Sequence, residues 1–122
     1  MLHNHNQAGA MNHLFTYVSA LSEAADGLSI VNTVLTESSS EEHGAFVERS
    51  ERIVYFDNGV QLKKETERDH ADTLSDDVCN ECWITYNIIC QPESLNVTPV
   101  SKVFSSPCQE SFWLKINKIQ TV

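Results

Sequence analysis

Cysteine and histidine side chains offer the most recognisable chemistry in this sequence. Cys79 and Cys82 are separated by two residues, a spacing that lets both thiolates bind one tetrahedral zinc ion. His70 lies nearby, at the start of an acidic loop, and is an acceptable third ligand. The main prediction is nonetheless reduced thiols and no cofactor. A zinc site made of His70, Cys79 and Cys82 is the alternative.

The other two cysteines do not complete a four-cysteine site. Residues 83–90 resemble a β-strand, so Cys82 and Cys90 would stand about 27 Å apart at ~3.4 Å per residue. That distance is too large for one metal ion. If the last strand lies antiparallel beside residues 83–90, Cys90 and Cys108 become neighbours.

Acid-base chemistry has one candidate, in which His70 is bracketed by Asp69 and Asp72. Flanking carboxylates raise the pKa of a histidine and orient its ring. The chain has only 4 glycines, and it contains no nucleophile elbow, phosphate-binding loop or dinucleotide fingerprint. Enzymatic activity is therefore not expected.

The net charge of the chain restricts the classes of macromolecule that it is expected to bind. The chain has 17 acidic and 8 basic residues and a formal net charge of -9. Residues 1–48 contain neither Lys nor Arg, so the surface repels phosphate backbones and anionic lipid. The predicted partner is a protein, with neither nucleic acid nor a membrane as a partner.

The compartment is predicted from the apolar runs and the cysteines. No run approaches the roughly 18 to 20 residues that span a bilayer, and the N-terminus lacks the basic region of a secretory signal. The protein is expected to be soluble and cytoplasmic, with reduced thiols. A secreted module with two disulfides is the alternative, because four cysteines can pair and Asn96-Val97-Thr98 is a glycosylation sequon.

Periodicity indicates the first elements. Residues 1–10 contain too little apolar surface to pack and are predicted to be a disordered tail. Apolar side chains repeat at three and four residues over 11–25, which predicts a helix, with Gly27 placed as its C-terminal cap. Residues 28–36 are rich in β-branched side chains and predict a strand, and the serines and acids of 37–42 predict a turn.

A hairpin is predicted around Asp57-Asn58-Gly59, in either of two registers. A two-residue turn sets Tyr55 against Leu62 and Arg52 against Glu65, which pairs opposite charges. A three-residue turn sets Val54 against Leu62 but also Arg52 against Lys64. We expect the first register because it satisfies the charges.

The remaining chain predicts strands at 83–90 and 111–119, the second with alternating apolar residues. A short edge strand interrupted at Pro99 is expected within 97–104.

Together these elements predict a single α+β domain over residues 11–122, with one N-terminal helix packed on an antiparallel sheet of about five strands. An all-β sandwich or barrel with a disordered N-terminus is the alternative. The predicted core comprises Leu14, Phe15, Val18, Leu21, Ile30, Val34, Val54, Phe56, Ile84, Tyr86, Ile88, Phe112, Leu114 and Ile116.

The predicted function is that of a small acidic protein that binds another protein, or itself, through the hairpin end or a sheet edge. The charged hairpin and the lack of catalytic motifs favour it. The alternatives are a small-molecule- or metal-binding domain that uses the loop from His70 to Cys82, and a secreted disulfide-bonded module.

Overall fold

The computed structural model of the chain describes residues 11–23, 27–42, 44–70 and 82–120. These residues form a five-stranded antiparallel sheet and two helices. The predicted tail of residues 1–10 lies outside them. In chain order the elements are α1 (Leu14–Ser19), β1 (Ile30–Glu42), β2 (Ala45–Phe56), β3 (Gln61–His70), β4 (Cys82–Cys90), β5 (Ser101–Phe104) and α2 (Pro107–Gln120).

The strands lie across the sheet in chain order, β1-β2-β3-β4-β5, and each pairs antiparallel with the next. The predicted sheet of about five antiparallel strands is confirmed. The strand predicted at 83–90 is also confirmed, as β4, and lies between β3 and β5. The sheet is open, with β1 and β5 at its edges.

The hydrophobic core covers one face of the sheet, which we call the helical face because α1 packs there. Directly opposite residues of an antiparallel pair point to the same face, so Val54, Leu62 and Ile88 share the helical face while Ile53, Lys63 and Asn87 share the open face. The buried cluster contains Leu14, Tyr17, Val18, Leu28, Val54, Phe56, Val60, Leu62, Cys82, Ile84, Tyr86, Ile88, Val97 and Phe104.

Half of the predicted core residues are buried, and three are clearly exposed. Leu14, Val18, Val54, Phe56, Ile84, Tyr86 and Ile88 are confirmed as core. Ile30, Val34 and Phe112 were predicted wrongly, since 42%, 45% and 65% of their surfaces are exposed. The first two lie on the edge strand β1, where β2 covers one side only. Phe112 is exposed because its segment forms the helix α2, from which Trp113 and Leu114 pack against the core instead.

The N-terminal helix is shorter than the predicted 11–25. After Ser19 the amides of Leu21 and Ser22 bond the carbonyls of Val18 and Ser19, three residues back. Such i to i-3 bonds are the tighter turns that end a helix. Gly27 does adopt a positive φ of 76°, but it lies beyond the helix end rather than capping it.

The predicted turn at 37–42 is instead the second half of β1, which pairs with β2 as far as Glu42 opposite Ala45. Gly44, with a φ of 81°, supplies the positive φ near this hairpin's reversal. Serine and glutamate remain in the strand here because β2 gives their backbone groups ladder partners.

The β2–β3 hairpin has the register that pairs like charges, so the predicted register is wrong. Val54 lies opposite Leu62 and Arg52 opposite Lys64. The amide of Phe56 donates to the Val60 carbonyl at 2.9 Å and the amide of Gly59 to the Phe56 carbonyl at 3.1 Å. With Gly59 at a φ of 94°, this is a turn followed by a glycine bulge.

Apolar burial decided that register. It places Val54, Phe56, Val60 and Leu62 together in the core, each no more than 3% exposed. Burying a large apolar side chain contributes ~1.5–3 kcal/mol, whereas a cross-strand charge pair contributes ~0.2–1 kcal/mol. The apolar contribution is therefore larger than the electrostatic one.

The last segment is the helix α2, not the predicted strand at 111–119. Its N-terminus is capped: the Ser106 hydroxyl accepts from the Gln109 amide at 3.2 Å, and the Gln109 side chain accepts from the Ser105 amide at 2.8 Å. Pro107 occupies the first helical position, where proline is favoured. Ser106, Pro107 and Gln109 thus form a start signal that the apolar alternation concealed.

The edge strand expected within 97–104 is confirmed as β5. The preceding Thr98–Pro99 bond is cis, and Thr98 exchanges backbone hydrogen bonds with the N-terminal segment through Asn12 and Leu14. This contact joins two segments that are far apart in the sequence.

The unfolding free energies of two alanine variants, one in the core and one on the surface, test whether the C-terminal segment is a helix with Phe112 exposed or a strand with Phe112 in the core. Leu62→Ala is expected to lower the free energy of unfolding by ~2–5 kcal/mol because the side chain is fully buried. Phe112→Ala is expected to change it by no more than about 0.5 kcal/mol. Urea denaturation followed by circular dichroism measures both, and equal losses would contradict the position given to α2.

Candidate functional site

The register of the β2–β3 hairpin places like charges opposite each other on both faces of the sheet. On the helical face, Arg52, Lys64, Tyr86 and Lys102 lie directly opposite one another on β2, β3, β4 and β5. We call this set the cationic row. On the open face, one residue away in register, Glu51 lies opposite Glu65. The register that satisfies the core therefore produces both like-charge pairs.

Two ion pairs lie on the open face in the described chain. Arg49 and Glu67 lie opposite each other and form an ion pair of 3.0 Å, and Lys63 reaches Glu65 at 3.3 Å along β3. All four side chains are substantially exposed, so each pair contributes at most ~1 kcal/mol. These contacts resemble an ordinary solvated surface.

Tyr86 connects the sheet to α2. Its hydroxyl donates a hydrogen bond to the Glu110 carboxylate in the first turn of α2. Burial raises the pKa of Tyr86 far above the ordinary 10.0, and the hydrogen bond to Glu110 and its negative charge raise that pKa further, while Arg52 opposes them. Tyr86 therefore stays protonated and acts as a fixed donor.

The raised pKa of Tyr86 predicts a loss of stability in alkali. Above pH 10 the unfolded chain releases the phenolic proton and the folded chain retains it, so unfolding becomes more favourable as the pH rises. We expect Tyr86→Phe to be less stable than the parent at neutral pH and to lose less stability between neutral pH and strongly alkaline solution. Urea midpoints against pH measure this, and identical slopes would show that Tyr86 titrates normally.

Two shallow grooves lie on the sheet, one mainly on each face, and the one on the open face extends from β1 to Trp83 and Thr85 of β4. The groove on the helical face has a volume of about 520 Å³ and that on the open face about 370 Å³. Neither is an enclosed cavity. The first is lined by Glu37, Ser38, Ser39, Phe46, Glu48, Arg49, Ser50, Thr66 and Arg68.

The predicted metal site is only partly within the described chain. Cys82 opens β4 and is 1% exposed within the apolar core, and its amide donates to the Ser105 carbonyl at 3.1 Å. His70 is the last residue of β3, two positions beyond the partner of Cys82, Arg68. Its side chain and all of Cys79 lie outside the described residues.

Zinc binding therefore stays a prediction. In the described ranges no three His, Cys, Asp or Glu side chains are grouped so that they could hold a metal ion. The acid-base candidate also stays untested: Asp69 is an exposed residue of β3, while Asp72 lies outside the described residues.

The cysteines fall into two states. Cys82 and Cys90 are free, the first buried and the second exposed, whereas Cys108 is disulfide-bonded. Cys90 and Cys108 are therefore not joined, and the strand that would have made them neighbours is a helix. The fourth cysteine of the sequence, Cys79, lies outside the described residues.

Thiol counting tests this distribution. In denaturant without reductant, we expect two of the four cysteines to react with a thiol reagent. In the folded protein only the exposed Cys90 should react quickly, since burial shields Cys82. Mass mapping of the unreduced protein should show Cys108 in a disulfide and identify the cysteine joined to it. Four reactive thiols in protein purified without reductant would contradict the disulfide.

The outer edge of β1, which we call its free edge, has no neighbouring strand in the described sheet. β1 is 13 residues long, and its outer N–H and C=O groups form a template for another strand. Four exposed apolar residues lie along its first half: Ile30, Val31, Val34 and Leu35. Its charges are all acidic and lie in the second half, at Glu37, Glu41 and Glu42.

The opposite edge is poorly suited to pairing. β5 has only 4 residues, and Pro99 and Pro107 lie close to its two ends. Short strands and prolines are the usual protection of sheet edges. The two edges of the sheet are therefore unequal, and β1 is the one that can accept a strand.

Comparison with known proteins gives no relative: no family model, no curated protein and no solved structure matches this chain. Within the described residues, no helix is both long enough and apolar enough to cross a membrane.

Proposed function

We propose that this protein is a protein-interaction module whose binding surface is the free edge of β1, and that the strand added there is β1 of a second copy. The observation that carries the proposal is the length and composition of that edge: 13 residues with exposed apolar side chains. Natural proteins normally shorten, charge or cover such an edge.

Both faces of β1 offer apolar contact to an added strand. Val34 lies on the open face opposite Ile53, and Leu35 on the helical face opposite Arg52. They are 45% and 49% exposed. A strand hydrogen-bonded to the outer edge would bury part of each, in addition to pairing the backbone groups.

An antiparallel arrangement centred on Val34 avoids charge repulsion along the interface. A two-fold axis there sets Val34 against its copy and Leu35 against Thr33 of the second chain. The acidic halves of the two strands then point in opposite directions. The two copies of Glu37 stand roughly 20 Å apart at ~3.4 Å per residue, which exceeds the ~8 Å Debye length at physiological ionic strength.

Lysine substitutions on the edge test the proposal. Val34→Lys with Leu35→Lys should abolish concentration-dependent dimerisation in sedimentation velocity, because charges on an edge strand prevent strand addition. Val103→Lys is the matched control, since Val103 is an exposed apolar residue, 53% exposed, on the other edge strand. It should leave the dimer unchanged.

Salt dependence distinguishes a second copy from a basic partner. Two chains of charge -9 repel, so added salt should strengthen self-association by screening, whereas it would weaken binding to a cationic strand. A protein that stays monomeric at high concentration and high salt would overturn the proposal. Loss of the dimer with Val103→Lys but not with the β1 variant would also overturn it.

A second candidate concerns the compartment. The disulfide at Cys108 favours an oxidising location, and hence the alternative of an exported disulfide-bonded module over the predicted cytoplasmic protein. The thiol count described above tests it. A small-molecule or metal-dependent role for residues 70–82 remains an untested alternative, for which native mass spectrometry of the whole chain would detect bound zinc.

A further inference from the structure

The cationic row brings together three of the 8 basic residues of the chain. Arg52, Lys64 and Lys102 lie at one level of the helical face on β2, β3 and β5, with Tyr86 of β4 between the two lysines. Neighbouring strands are about 4.8 Å apart. The long side chains of Arg52 and Lys64 can therefore both contact the same chemical group of a ligand. All three cations are half-buried.

These cations have no carboxylate partner within the described chain. The ion pairs there involve other bases, Arg49, Lys63 and Lys118. Lys64 instead places its ammonium 5.6 Å from the centre of the Tyr86 ring, and Lys102 places its own 5.6 Å from the centre of the Phe104 ring. Such cation–π contacts fix the position of a charge without neutralising it.

The acids nearest the row are limited in number. Glu110 faces it from α2, and its carboxylate accepts the hydrogen bond of Tyr86. Two further acids lie on the same face: Glu48, four residues before Arg52 on β2, and Glu37 of β1, which lies opposite Ser50. Among the described residues, one carboxylate therefore opposes three cations at this level, in a chain where acids outnumber bases by 17 to 8.

Holding Arg52 directly opposite Lys64 is unfavourable in the absence of an anion. A phosphate group would relieve it, because a guanidinium and an ammonium together donate several charge-assisted hydrogen bonds to phosphate oxygens. The groove of about 520 Å³ begins at the next level, where Ser50 and Thr66 follow Arg52 and Lys64 on the same face. It has room for the rest of a small molecule beside the phosphate.

We propose that the cationic row is a binding site for the phosphate group of a small phosphorylated ligand. Arg52 and Lys64 hold the phosphate oxygens, and Lys102 strengthens the positive potential from the far side of Tyr86. The three cations proposed to bind the phosphate lie on the inner strands and the opposite edge strand of the sheet, whereas β1 contributes only to the adjoining groove, through Glu37, Ser38 and Ser39.

Titration with inorganic phosphate at constant ionic strength tests the site, with amide chemical shifts of the full chain as the readout. We expect saturable shifts centred on Arg52, Lys64 and Lys102. Arg52→Gln and Lys64→Gln should each weaken the affinity about tenfold or more. Lys63→Gln is the matched control, since Lys63 is the neighbour of Lys64 on the open face, and it should bind phosphate as the parent does.

A sugar phosphate, compared with inorganic phosphate and with the same sugar without phosphate, shows whether the natural ligand is a phosphate ester or free phosphate. Tighter binding of the ester than of inorganic phosphate supports a ligand that occupies the groove, and no binding of the free sugar is expected. Melting temperatures without phosphate give a second readout, in which Arg52→Gln and Lys64→Gln should be at least as stable as the parent because repulsion is relieved.

Three results would overturn the proposal. The first is the absence of saturable shifts in the parent protein. The second is equal weakening by Lys63→Gln and Lys64→Gln, which would indicate a general response to charge. The third is a marked loss of melting temperature in Arg52→Gln and Lys64→Gln without phosphate, which would show that the two cations stabilise the fold and need no ligand.

Discussion

The burial of Val54, Phe56, Val60 and Leu62 in one register is the constraint on which the rest of the structure depends. These four side chains are at most 3% exposed, and they bring the hairpin against Tyr17 of α1, whose ring packs edge-on to Phe56 at 5.1 Å. The turn adds a polar link, because Asn58 donates to the Tyr17 hydroxyl at 3.0 Å and that hydroxyl donates to the Met11 carbonyl at 2.7 Å. A shift by one residue would move every one of these groups to the wrong face.

The same register determines the electrostatics of the molecule. Since adjacent residues of a strand point to opposite faces, fixing Val54 opposite Leu62 also fixes Arg52 opposite Lys64 and Glu51 opposite Glu65. Neither pairing is favourable, and both follow from packing. Apolar burial fixes the hairpin register, and that register produces both the cationic row and the pair of glutamates on the open face.

Much of the sheet could be predicted from the sequence, because its signals are local. β-branched runs, the Asp57-Asn58-Gly59 turn and the strand that becomes β4 all depend on residues close to one another, and all three are confirmed. The errors arose where two local signals competed. Alternating apolar residues at 112, 114 and 116 concealed the helix start at Ser106, Pro107 and Gln109, and charge pairing across the hairpin concealed the stronger apolar contribution.

The candidate surfaces were harder to predict, since they depend on which strands become neighbours. Arg52, Lys64 and Lys102 are far apart in the sequence, and only the strand order places them at one level. Likewise, nothing local in residues 30–42 shows that they form an edge. The metal site that the sequence suggested, His70 with Cys79 and Cys82, has only the Cys82 side chain among the described residues, and that side chain lies in the core.

The inequality of the two edges of the described sheet would limit the size of any assembly built by the proposed strand addition. A sheet that could accept strands at both edges would grow without end, as fibres do. In the described sheet β5 is short and bordered by prolines, which leaves β1 as the edge suited to pairing. In the proposed dimer both partners use that edge, so growth would stop at two molecules. The geometry proposed to make β1 receptive would thereby also make the assembly closed rather than open-ended.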